Sequence, residues 1–181
     1  MRRRAPGIRS GAGRGRALCA VSVLLSCVLA ACGVYSFSGA TIPAQLETVA
    51  VPLAEDRSAG GPPGLDRLLT DALIDRFVDR SRLTLEPDEV EADAVVRATI
   101  ERYAIAPVAV TDQNVAGLNR VSLGVRVVVE DRVENEELLA RSFTATADFA
   151  PAEGLQGEAN ASAIALDQIA RDAFTAATSD W

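Results

Sequence analysis

The stretch that most constrains this chain runs from Val121 to Glu130, VSLGVRVVVE. Val121, Leu123, Val125, Val127 and Val129 share one parity, while Ser122, Gly124, Arg126 and Glu130 take the other. A period of two gathers these residues on opposite faces of a strand, one apolar and one polar, and no helix would do so. The chain therefore has to build a sheet with one buried face and one partly polar face, as antiparallel sheets permit.

Two further segments repeat the pattern. From Ala94 to Ala106, Val96, Ala98 and Ile100 oppose Arg97, Thr99 and Glu101, and the alternation breaks near Arg102–Tyr103, where a bulge or twist is expected. After a polar turn over residues 131–137, Leu139, Arg141, Phe143, Ala145, Ala147 and Phe149 alternate with Ala140, Ser142, Thr144, Thr146 and Asp148. A first strand is expected over Leu46–Leu53, with Val49, Val51 and Leu53 against Thr48, Ala50 and Pro52. Pro52 lacks an amide hydrogen, so that strand ends at an edge or exit.

Helical spacing appears twice. Leu65, Leu69, Ala72, Leu73 and Phe77 form a stripe over Leu65–Arg80, widened by Leu68, Ile74 and Val78. A second helix is expected over Glu158–Ala177, burying Ala159, Ser162, Ala163, Leu166, Ile169, Ala170, Ala173 and Ala177. Between the first helix and the strands lie a short RLTL segment, read as a short strand, and the acidic stretch 86–93. That stretch lacks the glycine-centred spacing of a calcium loop and reads as a solvated connection. Residues 54–64 read as a turn-rich loop. The fold class expected is α+β: a mostly antiparallel sheet of about four strands with two helices packed on one face. The segment Pro107–Asn119 is longer than a hairpin needs. It is either an inserting loop or, through Val108 and Val110, an extension of the preceding strand.

The N-terminal region has a different character. Residues 1–16 carry six arginines and no acid, and Ala17–Ala31 is almost wholly apolar, which together make a secretory signal peptide. LAAC at 29–32 fits the bacterial lipobox, with Cys32 as the acylated first mature residue; LLSC at Cys27 fits less well, because Leu25 is bulky. The expected organisation is a lipoprotein signal peptide over 1–31, an acylated tether over 32–45 and a single domain over 46–181. Of 18 basic and 25 acidic residues, six basic ones leave with the signal, so 12 against 25 gives a mature net charge of −13. Such a domain repels nucleic acid. The three cysteines are Cys19, Cys27 and Cys32, which leaves no disulfide framework and no cysteine metal site in the mature chain. Histidine is absent, which removes His-based triads and the usual proton shuttle. Catalysis would have to run on carboxylates and arginines alone, so the expectation is a protein that is not an enzyme, with no catalytic and no metal-binding residues.

CGVYSFSGATIP at the lipidation site, LTDALIDRFVDRSRLTL on the first helix, IERYAIAPVAV and GLNRVSLGVRVVVEDR on the central strands resemble the LPS-assembly lipoprotein family, LptE, most closely its Bacteroidetes-type branch. The likeness runs from Cys32 to Trp181. It implies two helices on a four-stranded sheet, no cofactor beyond the covalent lipid on Cys32, and an outer-membrane lipoprotein on the periplasmic, barrel-lumen side. It also implies a partner, the LptD-like β-barrel that translocates lipopolysaccharide, which the protein plugs and helps to assemble. Gly33 after Cys32 favours the outer membrane, where an Asp would signal inner-membrane retention. The alternative is an envelope lipoprotein that binds a soluble ligand or pilots another outer-membrane pore. In the family, basic residues are connected with lipopolysaccharide contact. The candidates here are Arg120 and Arg126, on the polar parity of the clearest strand, and Arg102 near the break in its neighbour; the competing reading has them balancing Glu101, Glu130 and Asp131.

Overall fold

In the computed structural model, residues 42–108 and 117–179 are described; Cys32 and most of the 107–119 connection lie outside them. The elements in order are β1 (Thr48–Ala50), β2 (Glu55–Asp56), α1 (Leu65–Ile74), β3 (Thr84–Leu85), β4 (Ala94–Val108), β5 (Leu118–Asp131), β6 (Glu136–Phe149) and α2 (Gly154–Ser179). α1 continues into a π-helical turn over Asp75–Asp79, and a 3₁₀ turn over Pro151–Glu153 leads into α2.

The sheet differs from the expected one. Among the described residues it has six strands in the order β3-β1-β4-β5-β6, with β2 also paired to β4, and it is mixed. β4, β5 and β6 are antiparallel, whereas β1 pairs in parallel with β3 and β4, and β2 in parallel with β4. Parallel neighbours need a crossover, and α1 supplies it between β1 and β4. The strand expected over Leu46–Leu53 shrinks to three residues, because Pro52 cannot donate to a ladder; Leu53 is 61% exposed rather than buried. Glu55–Asp56, inside the expected loop 54–64, forms β2. Segments of two or three residues are too short to show a period, so their pairing leaves no trace in the sequence.

The long strands follow their alternation. Val121, Leu123, Val125, Val127 and Val129 are buried, and across from them lie Val96, Ala98 and Ile100 on β4 and Leu139 and Ala145 on β6. Ile100 pairs with Val125 and Arg102 with Gly124, which leaves Glu101 as the extra residue of a β-bulge one position before the expected break. On β6, Arg141 has the parity of the core but is exposed, which the edge position of that strand allows.

Both helices cover the apolar face. Leu65, Leu69, Leu73 and Phe77 are buried, and Phe77 meets Phe174 of α2 edge to face, with ring centroids 5.2 Å apart. Burying each such leucine or phenylalanine contributes about 1.5–3 kcal/mol. Leu68 is exposed, and the polar Thr70 is buried in its place: its hydroxyl donates to the Asp66 carbonyl (2.8 Å) and accepts the Ala54 amide (2.9 Å), tying the segment before β2 to α1. α2 starts four residues earlier than expected, and its stripe keeps the expected phase: Ser162, Leu166, Ile169, Ala170, Ala173 and Ala177 are buried. Ala161 and Ala165 are buried as well, whereas Ala159 and Ala163 face water. A helix with alanine on most faces offers little contrast between one alanine and the next. At the other end of the sheet, Asp93 accepts the Glu47 and Thr48 amides at 2.9 Å each and donates its own amide to Thr48, fixing the entry to β1. These bonds, that from Glu47 first, hold the Asp93 carboxyl below its usual value.

Candidate functional site

Because both helices lie on one side, the opposite face of β4–β6 is left open. Parity and register place Arg97, Thr99, Arg102 and Ala104 of β4 there, with Ser122, Gly124, Arg126, Val128 and Glu130 of β5 and Ala140, Ser142, Thr144, Thr146 and Asp148 of β6. Small hydroxyl side chains and alternating charges cover it, so it is a wet, hydrogen-bonding surface.

All three arginines expected to matter fall on this face, in two separate places. Arg102 sits at the bulge beside Gly124, two residues from Arg126, and its Cβ lies within van der Waals reach of where a side chain on Gly124 would begin. Among the described residues, neither Arg102 nor Arg126 forms an ion pair or a side-chain hydrogen bond. Arg120 is six residues from Arg126 along β5, roughly 20 Å away at strand rise. It is held in a two-pronged bridge to Asp148, whose carboxyl it keeps below the usual value. The balancing expected of Glu101, Glu130 and Asp131 takes other forms. Glu130 binds Arg97, Glu101 meets the Ser142 hydroxyl at 3.5 Å, and Asp131 accepts the Gln45 amide and caps the Val133 and Glu134 amides.

Beside Arg126 the face deepens into a cleft of about 580 Å³ between the sheet and the segment Pro52–Arg57. Arg97 is its central charge, holding Glu130 at 2.7 Å and Glu89 at 2.8 Å. The Glu130 hydrogen bond is the main cause that raises the guanidinium pKa further. Arg57 pairs with Glu55 at 2.6 Å on the rim, and Leu53 and Val128 add apolar surface. Sequence reasoning did not single out Arg57 or Arg97. The parity that places Arg97 beside Thr99 was visible; Arg57 depends on β2, which was not. Asp, Glu, His and Cys residues that could together hold a metal ion are not found among the described residues.

The sequence model of the lipopolysaccharide-assembly family, LptE, matches residues 46–177. The chain belongs to the LptE family. That match covers the six described strands, α1 and α2 as far as Ala177, so the open face and its arginines are part of the family domain. No curated protein matches the chain in sequence. Among solved structures it is similar to a candidate lipoprotein of Caulobacter crescentus CB15, at 14% identity and a TM-score of 0.50, over 72% of this chain and 87% of that one. It is also similar to a protein of Xanthomonas campestris, at 11% identity and a TM-score of 0.51, over 77% and 90%. At such identities the likeness is one of fold. No helix among the described residues is long and apolar enough to cross a membrane.

Proposed function

We propose that this LptE-family protein is an outer-membrane lipoprotein, acylated at Cys32 after removal of residues 1–31, that plugs and supports assembly of the β-barrel translocating lipopolysaccharide. The observation that carries the reading is the open face of the sheet within a lipopolysaccharide-assembly domain. A surface of Ser, Thr and paired charges suits a barrel lumen, which is polar. Acyl chains on Cys32 anchor the domain without a transmembrane helix, since each buried methylene contributes about 0.8 kcal/mol and more than one chain makes the anchoring stable. The domain has no catalytic step to perform and takes no cofactor besides its lipid; it acts through what it touches. Arg102 and Arg126, without acid partners among the described residues, are the groups that meet phosphate or carboxylate on lipid or barrel.

Depletion in the native cell tests this. The barrel should misassemble or leak and lipopolysaccharide delivery to the surface should stall, with no enzymatic product missing. Normal surface lipopolysaccharide and a correctly folded barrel in depleted cells would refute the proposal.

A further inference from the structure

The sheet has two ends. β3, at one end, has two residues and offers almost no edge. β6, at the other, has 14 residues and, among the described residues, pairs only with β5. In an edge strand, alternate backbone amides and carbonyls point away from the neighbour and remain available for pairing. Among the described residues, no backbone hydrogen bond reaches β6 from outside its ladder with β5.

Natural edges are normally guarded by proline, lysine, bulges or inward charges. The distal part of β4, which continues past β2, has such guards: the bulge at Glu101, Arg102 and Pro107. β6 has none over its second half. Ser142–Ala147, SFTATA, carries no charge, no proline and no register shift, and spans roughly 20 Å of β-prone backbone. The irregularity on this strand lies near its start, opposite Val129 and Glu130.

The charges choose among occupants. Glu136 and Glu137 lie at one end of β6, Arg141 stands just before the uncharged stretch, and Asp148, bridged to Arg120, lies at the other end. A second copy laid antiparallel along the strand would meet the mature net charge of −13 on both sides, which sets copies against one another. An extended segment that is uncharged in its middle and basic where it meets Glu136 and Glu137 has no such conflict. We propose that residues 142–147 are a β-augmentation site, where an extended segment of the partner barrel adds a seventh strand to this sheet. The inference rests on the barrel reading above and gives it an attachment point: backbone pairing at β6, separate from the arginines of the open face.

Hydrogen exchange on the acylated mature protein, alone and co-isolated with its barrel in mild detergent, tests the site. The expected result is that amides within 142–147 exchange at least tenfold more slowly in the complex, and that Thr144→Lys with Thr146→Lys, both at exposed positions, lowers barrel recovery at least tenfold while the free domain keeps its fold. Unchanged exchange in an intact complex overturns the augmentation site and leaves the barrel reading standing. Equal protection in the free protein assigns the edge to a segment of this chain, and protection that grows with protein concentration assigns it to a second copy; either overturns the proposal. Failure to recover any barrel removes both readings together.

Discussion

Arg120 and Asp148 face each other across β5 and β6, joined by two hydrogen bonds of 2.6 and 2.8 Å on the open face of the sheet. One of the three arginines that sequence parity brings to that face is thus already engaged in a cross-strand bridge, whereas Arg102 and Arg126 have their guanidinium groups free of acid partners among the described residues. The two kinds of arginine should behave differently.

In a carboxyl-detected NMR titration of the folded domain, Asp148 should protonate below the usual aspartate range, because the Arg120 hydrogen bonds favour its charged form. Arg120→Ala should return it to the ordinary range. A folded pKa below the unfolded one means that the bridge contributes above the unfolded pKa and is lost as pH falls through the folded one. An Asp148 that titrates identically with and without Arg120 contradicts the bridge. The pair is solvent-exposed, so the effect should also shrink with added salt.

For anionic ligands the order should reverse. Arg102→Ala with Arg126→Ala should weaken lipopolysaccharide retention by the purified domain by more than about tenfold, since each hydrogen bond to a charged group is worth about 1.5–3 kcal/mol. Arg120→Ala should have a smaller effect. Unchanged retention in the double variant removes these arginines from the ligand surface.

Tyr103, half-buried next to the bulge, donates its hydroxyl to Glu158 at the start of α2 at 2.7 Å. Burial first, then this hydrogen bond, pushes the phenol up to about 12. The chain has two tyrosines, Tyr35 and Tyr103, so absorbance at alkaline pH should resolve two steps, the later one vanishing in Tyr103→Phe. Because the folded pKa exceeds the unfolded one, stability linked to Tyr103 is fully present below about pH 10 and lost as pH rises towards 12. A single ordinary step would show that the hydroxyl is not held.

The helices are joined by Arg76, mostly buried, whose Nη2 donates to Asp167 of α2 at 2.6 Å. Asp167→Ala leaves that guanidinium without its main acceptor and should cost about 1–3 kcal/mol in urea unfolding. Arg76→Met with Asp167→Ala should recover most of the loss, because a matched apolar pair strands no charge. A single variant as stable as the parent would show that water replaces the bridge.

What was legible in the sequence followed from repetition. The ten residues Val121–Glu130, alternating apolar and polar side chains, specify β5 and the face on which Arg126 stands, a parity that Arg120 shares. The bulge announced itself as a break in phase near Arg102–Tyr103, one position after the extra residue, Glu101. A first strand and a short strand after α1 were expected, but β2 and the parallel pairing stayed hidden, since Thr48–Ala50, Glu55–Asp56 and Thr84–Leu85 are shorter than any period and are placed by partners distant in sequence. The cleft was hidden with them, because its outer wall is the segment Pro52–Arg57. α2 and most of its buried stripe were legible through Leu166 and Ile169; Ala159 and Ala163 were misplaced, alanine being nearly neutral about which way it faces.

The central claim is physical association of a lipid-anchored domain with a barrel. It is tested most directly by solubilising native membranes in mild detergent, capturing the mature lipoprotein and identifying by mass spectrometry what accompanies it, with Cys32→Ala as the control. The account predicts one large outer-membrane β-barrel, the lipopolysaccharide translocon, in stoichiometric amount with the acylated protein, and loss of fatty-acid label and membrane retention in the control. Recovery of the acylated protein alone, or with a different pore, would contradict it.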